Sequence, residues 1–173
     1  MCRQDVQEPL QVVRRVLERL GLSLNEAKTR VVDATEGSFD FLGFSIRMSR
    51  GVRTGKPYPN VRASEKSLMR IRTKLTQLTG RELTPIALDK IVGNVNRSLK
   101  GWANYFHYRN SNQVMEKIKT HAEQRLRTHL MKRHKVKDRG MGEGRFPSVD
   151  LYRRYGLYKV PTAAGWKSAP ALA

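Results

Sequence analysis

The apolar residues of this chain follow two periods, one typical of helices and one typical of strands. The longest helical stripe lies between residues 88 and 106, where apolar side chains recur every three or four positions. This spacing puts them on one helical face, so it predicts a central helix whose apolar face is covered by other helices. The stripe consists of Leu88, Ile91 or Val92, Val95, Leu99, Trp102 and Phe106.

Similar spacings predict further helices on both sides of the central one. Residues 5–20 form an amphipathic pattern that ends at Gly21, and residues 114–130 form a third long pattern. Ser64 is a plausible N-cap for a helix that ends before Gly80. Thr84 and Pro85 predict the start of the central helix, in which Gly93 indicates either tight packing or a bend.

The strand period appears between these helices, and irregular segments follow the last long one. Val31 and Val32 suit a short strand, and apolar residues alternate from Phe39 to Met48, with a bulge or close backbone approach expected at Gly43. Gly51, Gly55 and the Pro57–Pro59 segment predict a loop or hairpin. Further on, residues 140–144 predict a flexible basic loop, residues 149–157 a short helix, and residues 161–173 an irregular tail.

The charge of the chain indicates a binding protein and not merely a generic helical domain. The 173 residues contain 34 Lys and Arg against 15 Asp and Glu, a net charge of +19 and a pI near 10.7. Residues 1–60 have a net charge of +3 and residues 61–173 a net charge of +16. A compact chain with this excess repels itself unless a counter-charge is present, so a polyanionic partner is expected mainly for the helical part.

Other features narrow the class of protein. Cys2 is the only cysteine, so no intrachain disulfide can form, and a cytoplasmic location is the default expectation. No apolar run reaches the roughly twenty residues of a membrane span, and no signal peptide or membrane partner is expected. Asp33 and Asp40 could approach each other across a hairpin, but a role as exposed turn residues explains them at least as well. No metal site, cofactor or nucleophile motif is predicted.

The central helix combines aromatic and basic residues in a way that suits RNA. Trp102 and Phe106 belong to the apolar stripe, so core burial is expected for both. Beside the stripe lie cations that can contact phosphates and rings that can stack on unpaired bases. These residues are Arg97, Lys100, Tyr105, Tyr108 and Arg109.

Basic residues on other segments complete a set of candidate RNA contacts. Lysine and arginine often do no more than solvate a helix surface, but the summed charge favours binding. The remaining members of the set are Lys28, Arg30, Lys66, Arg70, Lys74, Lys117, Lys119, Arg125, Arg127, Lys132, Arg133, His134 and Lys135.

Two motifs resemble one protein family. The sequence GLSLNEAKTR at residues 21–30, followed by FDFLGF at residues 39–44, resembles the last two palm blocks of bacterial group II intron reverse transcriptases. The sequence LKGWANYF at residues 99–106, with the basic helix after it, resembles the maturase-specific domain of the same proteins. Order and spacing agree, and the resemblance covers nearly the whole chain.

This resemblance implies a fold and a function. It implies a mainly α protein, with a helical thumb and maturase bundle preceded by a small α/β palm remnant of one helix and a β-hairpin. It also implies binding to structured group II intron RNA that assists splicing. Lys28 corresponds to a lysine near the polymerase active site, and the primer-guiding turn corresponds to Phe41, Leu42, Gly43 and Phe44.

The chain departs from the family pattern at its start. The metal-binding Tyr-Ala-Asp-Asp strand of a complete polymerase precedes the first helix, and this sequence lacks it. Phosphoryl transfer by polymerases needs metals held by carboxylates, so the chain is not expected to be an enzyme by itself. The expected division is a palm remnant at 1–61, a thumb and maturase domain at 62–145, and a short helix and tail at 146–173.

Three functional interpretations remain open from the sequence. The first is a non-catalytic RNA-binding fragment of a maturase. The second is one piece of a split polymerase, completed by a separate palm chain, with self-association through the uncovered palm edge as a related option. The third is a generic basic DNA-binding protein.

Overall fold

The computed structural model describes residues 6–163, which form six α-helices and one three-stranded antiparallel sheet. Helix α1 spans Gln7–Arg19, where residues 5–20 were predicted to be helical, and residue 5 lies outside the described part. None of the side chains of α1 is buried. Residues 164–173 of the predicted tail also lie outside the described range. The predicted class, mainly α with a small hairpin unit in front of the helices, is confirmed.

The sheet contains strands β1 (Phe39–Phe41), β2 (Phe44–Arg50) and β3 (Pro57–Ala63), in that order. Phe41 pairs with Phe44, so Leu42 and Gly43 form a two-residue turn, with φ values of 49° and 82°. Positive φ at both positions suits a tight hairpin turn, because its twist matches that of the flanking strands. The bulge alternative at Gly43 is therefore wrong, since the alternating residues on its two sides belong to two paired strands. The other alternative, a close approach to the backbone at this glycine, is confirmed by the Ser67 and Phe106 side chains next to it.

Of two other expectations for this region, the strand at Val31 and Val32 is wrong, and the hairpin around Gly51 and Gly55 is confirmed. Val31 and Val32 lie outside the sheet, in an exposed irregular segment. The Pro57–Pro59 segment, predicted as part of a loop or hairpin, begins β3. Proline lacks the N–H that an inner strand must donate, and β3 is an edge strand on which this loss is tolerated.

Helices α2 (Glu65–Leu78), α3 (Leu88–Phe106) and α4 (Asn112–Arg133) enclose the main core. Ser64 caps α2 as predicted, because its hydroxyl accepts a hydrogen bond from the Ser67 N–H at 3.3 Å. The apolar stripe of α3 is confirmed as a core-facing surface. Its most buried neighbours on the other helices include Leu75, Ile118 and Leu126.

The first residue of α3 and the packing around Gly93 differ from the sequence-based expectations. The chain first makes a 3-10 turn at Arg81–Leu83, and the Thr84 hydroxyl donates to the Arg81 carbonyl instead of capping a helix. Helix α3 begins only at Leu88. Gly93 is exposed, and a Cβ atom built there meets nothing within 4 Å, so of the two alternatives tight packing is wrong and a bend stays a prediction.

The segment predicted as a flexible glycine-rich loop is instead helix α5 (Arg139–Arg145). The Asp138 carboxylate accepts hydrogen bonds from the N–H groups of Gly140 and Met141, which offsets the low helix propensity of glycine. Phe146, just after α5, is buried in the core. Helix α6 (Ser148–Arg153) follows and is shorter than the predicted 149–157 helix.

The β1–β2 turn is attached to the helical bundle. The Gly43 carbonyl accepts hydrogen bonds from the Ser64 N–H at 2.8 Å and from the Ser67 hydroxyl at 2.9 Å. The Phe44 ring lies 5.0 Å from the Phe106 ring, centroid to centroid. The hairpin and the C-terminal end of α3 are therefore packed as one unit.

We expect Gly43→Ala to lower the free energy of unfolding by about 1–3 kcal/mol. An added Cβ would lie 2.9 Å from the Ser67 hydroxyl and 3.2 Å from the Phe106 ring, at a φ of 82°. Urea unfolding followed by circular dichroism measures the change. Gly93→Ala is the matched control, because its Cβ meets open space and alanine favours a helix by up to about 1 kcal/mol. Equal stability of the two variants would contradict this account of the turn.

Candidate nucleic-acid interface

Three arginines of α4 hold neighbouring segments by hydrogen bonds to backbone carbonyls. Arg125 donates to the Thr79 hydroxyl at 3.1 Å and to the carbonyls of Thr76 and Thr79. Arg133 donates to the carbonyls of Thr84 and Ile86, at 2.8 and 2.7 Å. These contacts connect α4 to the end of α2 and to the segment before α3.

The third arginine, Arg127, connects α4 to the segment that leads into α6. It donates to the Phe146 carbonyl at 3.0 Å and to the Ser148 hydroxyl at 3.0 Å. The Ser148 hydroxyl donates in turn to the Glu123 carboxylate at 2.6 Å, and the Tyr152 hydroxyl donates to the other Glu123 oxygen. Burial, followed by the bond to Glu123, raises the pKa of Tyr152 well above its ordinary value. This network holds α6 on α4.

These arginine contacts satisfy hydrogen bonds but leave the positive charges in place, because a carbonyl carries no net charge. Ion pairs are scarce: within residues 6–163 they are Arg14 with Glu26 at 2.9 Å and Lys119 with Glu116 at 3.0 Å. Arg125, Arg127 and Arg133 therefore have a structural role, and their assignment as RNA contacts stays a prediction. Lys119 has a carboxylate partner.

A second group of predicted residues lies together on the outer face of α2. Lys66, Arg70 and Lys74 are spaced by one helical turn each and line a hollow of about 350 Å³. All three side chains are exposed, and none forms an ion pair within the described residues. Their spacing spreads three positive charges over about 12 Å of helix. The other lining residues are Met69, Thr73 and Gln77.

A separate open groove of about 480 Å³ lies between α2 and α4, and it shares no lining residue with this face. The His121 ring is close to α2, with its Nε2 atom 3.3 Å from the Arg72 carbonyl. Arg72 contributes from α2, and α4 contributes a mixture of basic, acidic and amide side chains. The groove is lined by Arg72, Gln113, Glu116, Lys117, Thr120, His121 and Gln124.

Burial affects two histidines of α4. It is the main cause that lowers the pKa of His121, and the charges of Arg72 and Arg125 lower it further. His129 is fully buried, and its ring nitrogens form no hydrogen bond of good geometry within residues 6–163, although the backbone of Thr79 and Gly80 partly opposes the effect of burial on its pKa. Burial likewise lowers the pKa of His129. Both rings are therefore neutral at neutral pH.

The aromatic end of α3 faces the β1–β2 turn. The Tyr105 hydroxyl donates to the Leu42 carbonyl at 3.1 Å, and the Tyr105 ring lies 5.5 Å from the Phe44 ring. Tyr105 and Tyr108 are 53% and 41% exposed, so each ring is half available for stacking. Phe41 and Leu42 are 60% and 68% exposed. The turn predicted to guide a primer thus presents apolar side chains next to partly exposed rings.

The remaining predicted RNA contacts lie neither on the outer face of α2 nor in the groove between α2 and α4. Arg97 lies on α3 and donates to the Asn94 side chain, and the Lys100 amine lies 5.7 Å from the centre of the Tyr158 ring. Arg109 donates to the Tyr108 hydroxyl. The others lie between α1 and β1 or at the end of α4. These are Lys28, Arg30, Lys132, His134 and Lys135.

Sequence reasoning missed several residues of the groove. Arg72, Gln113 and Gln124 were not predicted as contacts, although residues 113, 117, 120 and 124 share one face of α4 at helical spacing. Glutamine carries no charge, so a search for cations passes over it. The helical spacing of polar residues beside Lys117 was the available signal.

Two further observations concern the described part of the chain. Residues 6–163 contain no cluster of three or more His, Cys, Asp or Glu side chains that is arranged to hold a metal ion. None of the helices in this range combines the length and apolar content needed to cross a membrane.

We expect Arg125→Lys to destabilise the protein by about 1–3 kcal/mol, although the charge is unchanged. Lysine cannot reproduce the forked contacts of Arg125 with Thr79 and Thr76. Lys132→Gln, at an exposed position on the same helix, should stay within about 0.5 kcal/mol of the wild type. Thermal and urea unfolding distinguish the two variants. A fully stable Arg125→Lys protein would show that these contacts contribute little.

We also expect stability to fall as the pH drops below about 6.5, in part because of His129. Its folded pKa lies below the ordinary value of 6.5, so in this range the unfolded chain binds a proton that the folded chain does not. His129→Leu should therefore lose less stability than the wild type between about pH 7 and about pH 5. Urea titrations across this range test the difference, with exposed His134→Gln as the control. Parallel pH profiles for the wild type and His129→Leu would refute the assignment.

Comparison with known proteins gives this helical unit a family. Residues 68–144, a little under half of the chain, match the family model of the group II intron maturase-specific domain. The matched segment runs from α2 into α5 and contains α3, α4 and the groove. No curated protein matches the chain. The chain therefore carries a group II intron maturase-specific domain.

Proposed function

We propose that this protein binds structured group II intron RNA and assists its splicing, without catalysing a reaction itself. Membership of residues 68–144 in the maturase-specific family supports a role with these introns. The excess of positive charge, which is concentrated in the helical part, supports contact with a polyanion. Residues 62–145 are the proposed RNA-binding domain, with residues 1–61 as the palm remnant and residues 146–173 as a short appendage.

The observation that carries this proposal is the unneutralised basic face of α2. Lys66, Arg70 and Lys74 point away from the core on one helical face, and Lys117 lines the separate groove between α2 and α4. None of these four cations has an ion-pair partner within residues 6–163. Phosphate binding at such a face releases counterions from the RNA and so provides affinity without sequence preference.

A basic surface of this kind provides a physical route to assisting splicing. A folded intron must bring its helices close together, and repulsion between their phosphates opposes this. Cations held on a rigid helical unit reduce that repulsion where the protein binds. The protein thereby stabilises the compact RNA relative to open forms, because it binds the compact form more tightly.

A second candidate function is favoured by the exposed face of α1. Val12, Val13 and Val16 are each about half exposed, and α1 has no buried residue. A separate palm chain that covered this face would complete a split RNA-directed DNA polymerase. Co-expression with such a chain and a primer-extension assay tests this alternative.

We expect replacement of Lys66, Arg70 and Lys74 by Gln to weaken binding to a group II intron transcript. The slope of log K against log salt should become shallower by about two to three, because each lost phosphate contact removes roughly 0.7–0.9. Filter-binding titrations over a range of salt concentrations give this slope. The replacements lie on the exposed face of α2, so the fold should be retained.

The matched control removes the same charge from another place. Arg50, Arg53 and Lys56 are exposed on the β2–β3 hairpin, and their replacement by Gln should leave the slope nearly unchanged. Equal slopes for the two triple variants would reject the α2 face as the binding surface. Equal affinity of the wild type for duplex DNA and for folded intron RNA would favour a generic DNA-binding protein instead.

A further inference from the structure

We infer that the groove between α2 and α4 receives a single unpaired nucleotide of the bound RNA. This inference rests on the proposed function and adds a second mode of contact to it. The groove volume of about 480 Å³ lies within the range of pockets that hold small organic ligands. Its lining contains a carboxylate as well as cations, whereas all the charged side chains on the outer face of α2 are basic.

One part of the lining suits a phosphate. Within residues 6–163, the Arg72 side chain forms no hydrogen bond or ion pair, and its buried Nε atom lacks an acceptor. Lys117 lies on α4 in the same groove and also has no ion-pair partner in the described part. Gln113 marks the N-terminal end of α4, where the helix dipole favours negative charge. These three features favour an anionic group in the groove.

Another part of the lining suits the edge of a base. Gln113 and Gln124 each offer an amide donor and an amide acceptor, the same pair of functions that base edges present. The Glu116 carboxylate can accept a hydrogen bond from a base amino group. It is held at 3.0 Å by Lys119, and this ion pair offsets its repulsion of the RNA backbone. A surface that bound phosphates alone would gain nothing from a carboxylate.

The His121 ring adds a flat surface to the groove. Its Nε2 atom lies 3.3 Å from the Arg72 carbonyl, which fixes the ring on the wall formed with α2. Because burial lowers the pKa of His121, the ring is uncharged at neutral pH. Unpaired bases stack on aromatic rings and on arginine planes, and the groove provides one of each in His121 and Arg72.

The occupant is an unpaired nucleotide because pairing and stacking in an RNA helix hide the Watson–Crick edge and the ring face of each base. The major groove of an RNA duplex is too deep and narrow for side chains to read. A nucleotide bulged from a helix exposes its base edge and its ring face together.

The test uses the full chain and stem-loop RNAs that contain a single-nucleotide bulge, with each of the four bases in turn. A fully paired stem-loop of the same length is the reference RNA. Fluorescence anisotropy at constant salt should show that the wild type binds at least one bulged RNA about fivefold more tightly than the paired RNA. The variant with both Gln113→Ala and Gln124→Ala should lose this preference. Its affinity for the paired RNA and its salt slope should stay unchanged.

Controls separate the groove from the rest of the proposed function. Gln11→Ala, at an exposed position on α1, should keep the wild-type preference for the bulged RNA. Circular dichroism should show that the double variant is folded, as expected for alanine at two helical surface positions. No preference in the wild type, or a preference that survives in the double variant, overturns the inference. In both cases salt-dependent binding to all the RNAs would still support the proposed function, whereas no binding to any of them would overturn both.

Discussion

The arginine-to-carbonyl contacts of α4 are the interaction on which this structure most depends. Arg125, Arg127 and Arg133 reach the end of α2, the segment before α6 and the segment before α3. Arginine can do this because its guanidinium presents several donors in a fixed plane. Carbonyl oxygens accept these hydrogen bonds without neutralising the positive charge of the guanidinium groups. The same contacts that assemble the bundle therefore keep the molecule strongly positive.

This arrangement links stability to function. A protein of this size could instead have held its helices together with carboxylate partners, but 15 acidic residues against 34 basic ones leave few available. The described ion pairs involve Arg14 and Lys119, neither of which lies on the outer face of α2. That face is consequently positive and open. Such a surface suits a folded polyanion better than a flexible basic tail would, because little ordering is needed on binding.

The sequence pattern predicted the long helices well, but it did not predict the hairpin turn at Gly43 from periodicity or the short helix α5. The stripe between Leu88 and Phe106 is a strong periodic signal, and its burial follows directly from it. The alternating pattern around Gly43 continues through a two-residue turn, so periodicity alone does not reveal that the chain reverses there. Helix α5 was missed because its glycines disfavour a helix, while the Asp138 cap and buried Phe146 stabilise it in context.

The candidate site was predictable in the same uneven way. Lys66, Arg70 and Lys74 are visible in the sequence as cations on one helical face. The role of Arg125 is not visible, because its carbonyl partners lie 46 to 49 residues away and carry no side-chain signal. The groove depends on how α2 and α4 pack, which no local pattern specifies.

The most direct test of the central claim is a map of the RNA contact surface on the intact protein. Ultraviolet crosslinking of the chain to a group II intron transcript, followed by mass spectrometry of the crosslinked peptides, provides that map. The account predicts that crosslinks concentrate on α2 and on the α4 face that lines the groove, residues 113–124. Crosslinks spread evenly over α1, the sheet and α6 would contradict it.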